Sequence, residues 1–345
     1  MQPALIRFVA SVWRSRSAIA FLLLPLSAIF SAASGIRRTL YRVGLKRACR
    51  VGVPVIVVGN ITAGGSGKTP VVMHLVEELR RCGLRPGVIS RGYGRSGYQV
   101  REVRLDSSVT ESGDEPLLIA RRTGAPVFVG RDRVAAAEAL LSAHHDCNVL
   151  ISDDGLQHYR LARDVEFAVF DERGVGNGWL LPAGPLREPV SRALRADAVI
   201  ANGSIPDELA RRLSSRPIHC MRLEGTTLFR LADRRRAGLD SLLGMHPHVV
   251  AGIGNPQRFF DSLRATGLAF DAHAFPDHHR FRIGDLRFGD RRPILMTEKD
   301  AVKCSLFADQ LPVDAWALQV DACLEPDLLP YLKRILESVH GSTPY

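Results

Sequence analysis

Along the 345-residue chain, short apolar runs alternate with stretches of helical period. Runs at 54–58, 86–89, 126–129, 148–152, 166–170 and 197–201 are rich in Val, Ile, Ala and Phe, as strands buried on both faces are. Helical stretches fall between them, around 68–82, 131–143 and 188–194. This order predicts an α/β fold with a mostly parallel sheet covered by helices on both faces. Further runs at 217–223, 248–252 and 293–296, with a helix near 255–266, predict a second, smaller α/β lobe. The expected organisation is an N-terminal segment over 1–50, a core over 51–220 and a C-terminal lobe over 221–345. The arginine-rich stretch from Arg230 to Arg236 reads either as the junction or as a solvated helix face.

The first fifty residues differ from the rest. They hold nine basic side chains and no Asp or Glu, leaving 37 basic against 36 acidic residues in the remainder, so the net charge of +10 belongs to one end. Between Arg16 and Arg37 lie twenty uncharged residues centred on Phe21-Leu22-Leu23-Leu24-Pro25-Leu26. As one helix they would be about 30 Å long, enough to reach across a bilayer. Pro25 and four serines weaken a span, so the segment is expected either to cross or to lie in one leaflet with its arginines at head groups. A secretory signal, a transit peptide and a buried helix are the alternatives; membrane attachment is the expectation, because basic residues flank the run on both sides. The six cysteines are scattered without a CxxC pair, which excludes a disulfide framework and a zinc ribbon and fits a reducing compartment.

Val55-Ile56-Val57-Val58 runs into Gly59-Asn60-Ile61-Thr62-Ala63-Gly64-Gly65-Ser66-Gly67-Lys68-Thr69, followed by a helix with Val71, Val72, Leu75, Val76 and Leu79 on one side. Strand, glycine loop and helix in that order suit a nucleotide phosphate site. The amides of Gly64, Gly65, Ser66 and Gly67 would face phosphate, Lys68 would neutralise the β- and γ-phosphates, and the Thr69 hydroxyl would hold Mg²⁺. Thr62 stands where the usual pattern has its first glycine, and Ala63 replaces the lysine found there in partner-switching ATPases. The run at 147–152 ends in Asp153-Asp154-Gly155, carboxylates at the carboxyl end of a strand where a metal or its water shell needs them.

Several other segments are too polar and glycine-rich for packing. They are Ser90-Arg91-Gly92-Tyr93-Gly94-Arg95, Gly113-Asp114-Glu115-Pro116, Gly130-Arg131-Asp132-Arg133, Asp153-Asp154-Gly155-Leu156-Gln157-His158, the string from Gly176 to Glu188, Phe275-Pro276-Asp277-His278-His279 and Thr297-Glu298-Lys299-Asp300. With the glycine loop, this set resembles the tetraacyldisaccharide 4′-kinase family over about residues 50–303. The resemblance implies transfer of the ATP γ-phosphate, with Mg²⁺, to the 4′-hydroxyl of a tetraacylated disaccharide 1-phosphate, the lipid A precursor. It also implies a place at the cytoplasmic face of the bacterial inner membrane, peripheral or anchored by one helix. The expected partners are that lipid and a phospholipid surface, with no nucleic acid and no obligatory protein partner.

The resemblance further points to Asp114 as the group that activates the sugar hydroxyl and to His278 as its partner across a cleft. Asp114 also suits a helix N-terminus, since Glu115-Pro116 opens a helix. Arg91, Arg131 and Arg187 are candidates to hold phosphate, because guanidinium pairs with it bidentately. Tyr93, Glu115, Gln157, His158 and Glu188 belong to the specific strings and are expected to line the cleft, and Thr297 to border the nucleotide base. A zinc site from His273, His278 and His279 lacks a further ligand at suitable spacing. A membrane-attached nucleotide switch or a kinase for a soluble metabolite would leave the 176–188 string unexplained.

Overall fold

A computed structural model describes residues 8, 9 and 11–340, with side chains described to residue 337. Nine strands form the larger sheet: β1 (Val55–Gly59), β2 (Pro86–Ser90), β3 (Arg101–Glu102), β4 (Val127–Val129), β5 (Val149–Asp153), β6 (Val165–Asp171), β7 (Ala198–Asn202), β8 (Ile218–Glu224) and β15 (Asp321–Glu325), in the order β15-β8-β7-β6-β1-β5-β2-β4-β3. The seven inner strands are parallel, and only the edge strands β3 and β15 run antiparallel. Every residue of β1, β2, β5 and β7 is buried, the consequence of helices on both faces.

The first helices are α1 (Ala18–Leu22), α2 (Leu24–Arg42), α3 (Lys68–Arg81), α4 (Val109–Ser112), α5 (Asp114–Thr123), α6 (Arg133–Ala143) and α7 (Asp207–Leu213). α3 and α5 cover one face through Val72, Leu75, Leu79, Leu117 and Ile119. α6 and α7 cover the other through Val134, Ala137, Leu140, Leu209 and Leu213. The 188–194 stretch is a 3-10 helix over Val190–Arg195, entered from extended Pro189.

The smaller sheet contains β9 (Thr227–Arg230), β10 (Arg236–Gly238), β11 (His248–Ala251), β12 (Asp271–Ala274), β13 (Ile294–Thr297) and β14 (Ala315–Leu318), in the order β10-β9-β14-β13-β11-β12. α8 (Pro256–Ala265) and α9 (Glu298–Cys304) belong to it. Two expectations need correction. The expected lobe from 221 to the C-terminus begins after β8 and ends before β15: β15 pairs with β8 in the larger sheet, and α10 (Leu329–His340) packs Leu332 and Ile335 on the α3 face. The Arg230–Arg236 stretch is neither junction nor helix but the tight turn between β9 and β10, closed by Arg230 N–H to the Arg235 carbonyl at 2.8 Å.

The N-terminal apolar stretch is not one straight helix. Pro25 has no N–H to donate and sits at the start of α2, so the chain breaks between α1 and α2. Among the described residues no helix is long and apolar enough to cross a membrane. The segment docks on the 176–188 string instead. The Ser27 hydroxyl donates to the Leu180 carbonyl at 2.9 Å and accepts from the Ala183 N–H at 3.0 Å. Trp13 Nε1 donates to the Pro182 carbonyl at 2.9 Å, and Phe21 meets Trp179 edge to face.

Candidate active site

The glycine loop leaves β1 and enters α3, and its conformation is held from four directions. Asn60 Nδ2 donates to the Gly64 carbonyl at 3.2 Å, Ala63 N–H to Pro185 at 2.7 Å, and Asn202 Nδ2 to the Ser66 carbonyl at 3.2 Å. Arg173, after β6, donates to the Gly65 carbonyl. Gly67 has φ +89°, a backbone conformation that calls for glycine, and a Cβ there would push against the Asn202 amide that holds the loop. With these loop carbonyls occupied, the amides of Gly65, Ser66 and Gly67 meet no protein acceptor among the described residues. They lie at the N-terminus of a fourteen-residue helix, where an anion is favoured.

Facing the loop are the two aspartates. Asp154, with φ +49°, holds Arg187 Nη1 between its two carboxylate oxygens at 2.9 and 3.1 Å and lies 3.5 Å from Lys68 Nζ. Burial works to raise its pKa, but Lys68 and Arg187 prevail and hold it at about 2. Asp153 differs: burial first, then Glu115 and Asp154, push it up to about 6, although Lys68 and a 2.9 Å bond from Ser90 oppose the rise. Its Oδ1 is buried without a partner, as are the Ser66 hydroxyl and the Oδ1 atoms of Asn60 and Asn202. Orphaned buried oxygens are rare. A carboxylate oxygen forced toward protonation beside an anion-favouring loop suits a hard cation such as Mg²⁺, with Asp153 and Thr69 as oxygen ligands.

Across the cleft, α5 begins at Asp114, buried at 4% exposure. His278, from the loop after β12, places Nδ1 2.9 Å from Asp114 Oδ2. The residues are 164 positions apart and belong to different lobes. Burial works to raise the Asp114 pKa; the His278 bond, Lys299 and Lys303 outweigh it and hold the carboxyl at about 2. The same bond raises His278 despite its partial burial. His278 has φ +58° and its N–H is held by Asp277 Oδ1 at 3.0 Å. The Tyr93 ring lies 5.3 Å from the imidazole.

Other expected residues divide into two groups. Gln157 donates to the Asn60 carbonyl at 2.9 Å, buttressing the loop. Burial and then Arg133, with Arg37 and Arg91 adding to them, push His158 down to about 3, so it stands neutral among guanidinium groups. Glu115 accepts from Lys299 at 3.0 Å. Arg91 and Arg131 are exposed, Arg131 lying over Tyr98. Glu188 is buried and engaged by Tyr159, Arg192 and Arg38. Thr297 caps α9, its hydroxyl donating to Asp300 at 2.7 Å. His273 pairs with His248 at 3.0 Å and His279 with Asp285 at 3.0 Å, so neither joins His278.

Sequence reasoning missed Arg133, Arg173, Asn202 and Lys299. Arg133 is buried and donates to the Gly130 carbonyl at 2.5 Å, next to the exposed Arg131. Asn202 closes β7, and Arg173 follows β6 closely. Polar residues at the carboxyl ends of parallel strands were the available signal.

The chain as a whole matches known proteins. The family model described as tetraacyldisaccharide-1-P 4′-kinase matches residues 19–337. A tetraacyldisaccharide 4′-kinase of Azoarcus sp. (strain BH72) is 55% identical over 336 residues, 97% of this chain and 96% of that one. One of Dechloromonas aromatica (strain RCB) is 48% identical over 342 residues, 98% of each. A solved structure described as the "apo" form of LpxK from Aquifex aeolicus in complex with ATP is 29% identical, with a TM-score of 0.76 over 93% of this chain and 99% of that one. Parallel sheet, glycine loop and full-length likeness agree, and the chain belongs to the tetraacyldisaccharide 4′-kinase family.

Proposed function

We propose that this kinase moves the γ-phosphate of ATP to the 4′-hydroxyl of tetraacyldisaccharide 1-phosphate through the cleft between Lys68 and the Asp114–His278 pair. The observation that carries the reading is that pair, joined at 2.9 Å from opposite lobes. Phosphoryl transfer needs charge neutralisation and an oriented nucleophile, with little covalent work from the protein. Lys68 and the loop amides of Gly64 to Thr69 hold the triphosphate. Asp153 and Thr69 hold Mg²⁺, and Asp154, clamped by Arg187, aligns Lys68. When bound, the metal neutralises charge on the phosphate oxygens. The Asp114 carboxylate accepts the hydrogen bond of the acceptor hydroxyl, and His278 orients the carboxylate and shares its proton. Arg91, Tyr93, Arg131 and His158 serve the sugar phosphate, and Glu188, held by Tyr159, Arg192 and Arg38, has a structural part.

The pH dependence tests the pair. Loss of the His278 bond removes the leading influence that lowers the Asp114 pKa, so protonation of Asp114 then occurs at higher pH. His278→Ala is expected to move the acid limb of kcat/KM for lipid phosphorylation upward. An acid limb identical to that of the wild type would contradict the pairing.

The N-terminal arm serves as the membrane contact, at the cytoplasmic face of the inner membrane. Leu22, Leu26, Ile29 and Ile36 are exposed along α1 and α2, with Arg37 and Arg42 beside them. That row, spaced three, four or seven apart, suits a helix lying in a phospholipid surface, which the four-chain acceptor also occupies. Phospholipid, and not nucleic acid, is then the anionic partner of the basic arm, and the transfer calls for no second protein. Burying three such side chains contributes roughly 1.5–3 kcal/mol each. The triple change Leu22→Ser, Leu26→Ser, Ile29→Ser is therefore expected to cut binding to anionic phospholipid vesicles at least ~100-fold, read by co-sedimentation. Undiminished vesicle binding would overturn this role.

A further inference from the structure

Lys299 stands in the first turn of α9, where the helix dipole disfavours a cation, and its side chain is only 17% exposed. Its Nζ lies 3.0 Å from Glu115 Oε1, 3.5 Å from Asp277 Oδ1 and 3.9 Å from Asp114 Oδ2. Asp114 and Glu115 open α5 in the larger lobe; Asp277 precedes His278 in the smaller. Lys303, one turn later, is already held by Asp300 at 2.8 Å and the Gly252 carbonyl at 3.1 Å, and reaches Asp114 only at 4.0 Å. Glu298 turns away, to Arg122 at 3.2 Å. Lys299 is thus the ammonium that bridges both lobes at the Asp114–His278 pair. A desolvated amine at the wrong end of a helix costs stability, and local rules are broken in this way mainly at functional sites.

We propose that Lys299 is a positioning residue for phosphoryl transfer: from the smaller lobe it ties Asp277 to the Asp114–Glu115 corner of the larger, setting the closure of the cleft and the placement of the Asp114–His278 pair. The inference rests on the reading of that pair as the hydroxyl-activating group. The groups facing Lys299 are Asp114 and Glu115 from α5, Asp277 and His278 from the loop after β12, and Asp300 and Lys303 from its own helix. Loss of one cation from this set raises the proton affinity of both Asp114 and His278, so both limbs of a pH–rate profile move the same way.

The test measures kcat/KM for lipid phosphorylation against pH in mixed micelles for wild type, Lys299→Met, Lys299→Arg and His278→Ala. Misplacing a reacting group by about an ångström costs up to ~100-fold, so Lys299→Met is expected to lose about 10- to 100-fold in kcat with both limbs displaced to higher pH. Lys299→Arg, which keeps the charge, is expected to return the limbs to their wild-type positions. Unmoved limbs in Lys299→Met, whether or not the rate falls, overturn the proposal. If His278→Ala also leaves the acid limb in place, the reading of the pair fails; if only Lys299→Met does, the pair stands and this inference alone fails. Should thermal melting show Lys299→Met unfolded, Lys299→Gln, whose amide still reaches Glu115, takes its place with the same expected displacement.

Discussion

Lys68→Ala is expected to slow phosphate transfer by about 10²–10³-fold, the usual cost of removing one preorganised charge from a transferring group. The position explains why. Lys68 is the first residue of α3, its side chain is 9% exposed, and its Nζ is 3.5 Å from Asp154. The fold is expected to survive, because Asp154 keeps its two bonds to Arg187. Lys68→Arg is expected to recover little: a planar fork does not replace a compact ammonium within a closed loop. The check is steady-state transfer with a thermal melt of each variant beside it. Near-normal turnover in folded Lys68→Ala would remove the loop from the chemistry.

Asp114→Asn is expected to cost about 10²–10⁴-fold in kcat, the span of a positioned acid–base group. Shape is kept, so the loss reports charge. With its pKa held at about 2, Asp114 is a carboxylate throughout the physiological range, ready to accept a hydroxyl proton in a hydrogen bond. The same depression has a stability consequence. A carboxyl whose folded pKa lies below its unfolded value stabilises the fold above the unfolded pKa, and that contribution disappears as pH falls from about 4 toward 2. Asp114→Asn removes it at neutral pH as well, leaving His278, Lys299 and Lys303 with one carboxylate fewer. A fall in melting temperature at pH 7 that shrinks toward pH 3 is therefore expected beside the kinetic loss.

What the sequence revealed follows the strength of local signals. The inner strands and α3 announce themselves because burial on both faces requires continuous Val and Ile, and because a helix after a glycine loop repeats its apolar face. β12 carries no such signal: Asp271-Ala272-His273-Ala274 lies at a sheet edge with alternate residues exposed. β15 alternates likewise at the edge of the larger sheet, so nothing local tells that the chain returns there. β14 is wholly buried, but Ala315-Trp316-Ala317-Leu318 lacks the Val and Ile that mark the other buried strands. Pro25 was visible, yet the docking of Ser27 on Leu180 and Ala183, which fixes where the arm lies, joins residues more than 150 apart.

The site divides in the same way. Lys68, Thr69, Asp153 and Asp154 follow from a contiguous pattern and the chemistry of phosphate. The link from Asp114 to His278 came from family likeness alone, since no periodicity connects positions 164 apart. Lys299 carries no local signal of a role of its own in the sequence. Only the packing of α9 against α5 brings its amine to Glu115 and Asp114. Glu188 shows the reverse: its string is distinctive, but the side chain is committed to Tyr159, Arg192 and Arg38.

The most direct test of the account is to measure, on folded Asp114→Asn, the affinity for Mg²⁺-ATP and the transfer of labelled γ-phosphate to tetraacyldisaccharide 1-phosphate in mixed micelles. The account predicts wild-type affinity for the nucleotide and almost no label in the lipid, because Asp114 serves the acceptor hydroxyl and stands apart from the loop that holds phosphate. Label in the lipid at the wild-type rate, or nucleotide affinity lost together with transfer, would contradict it.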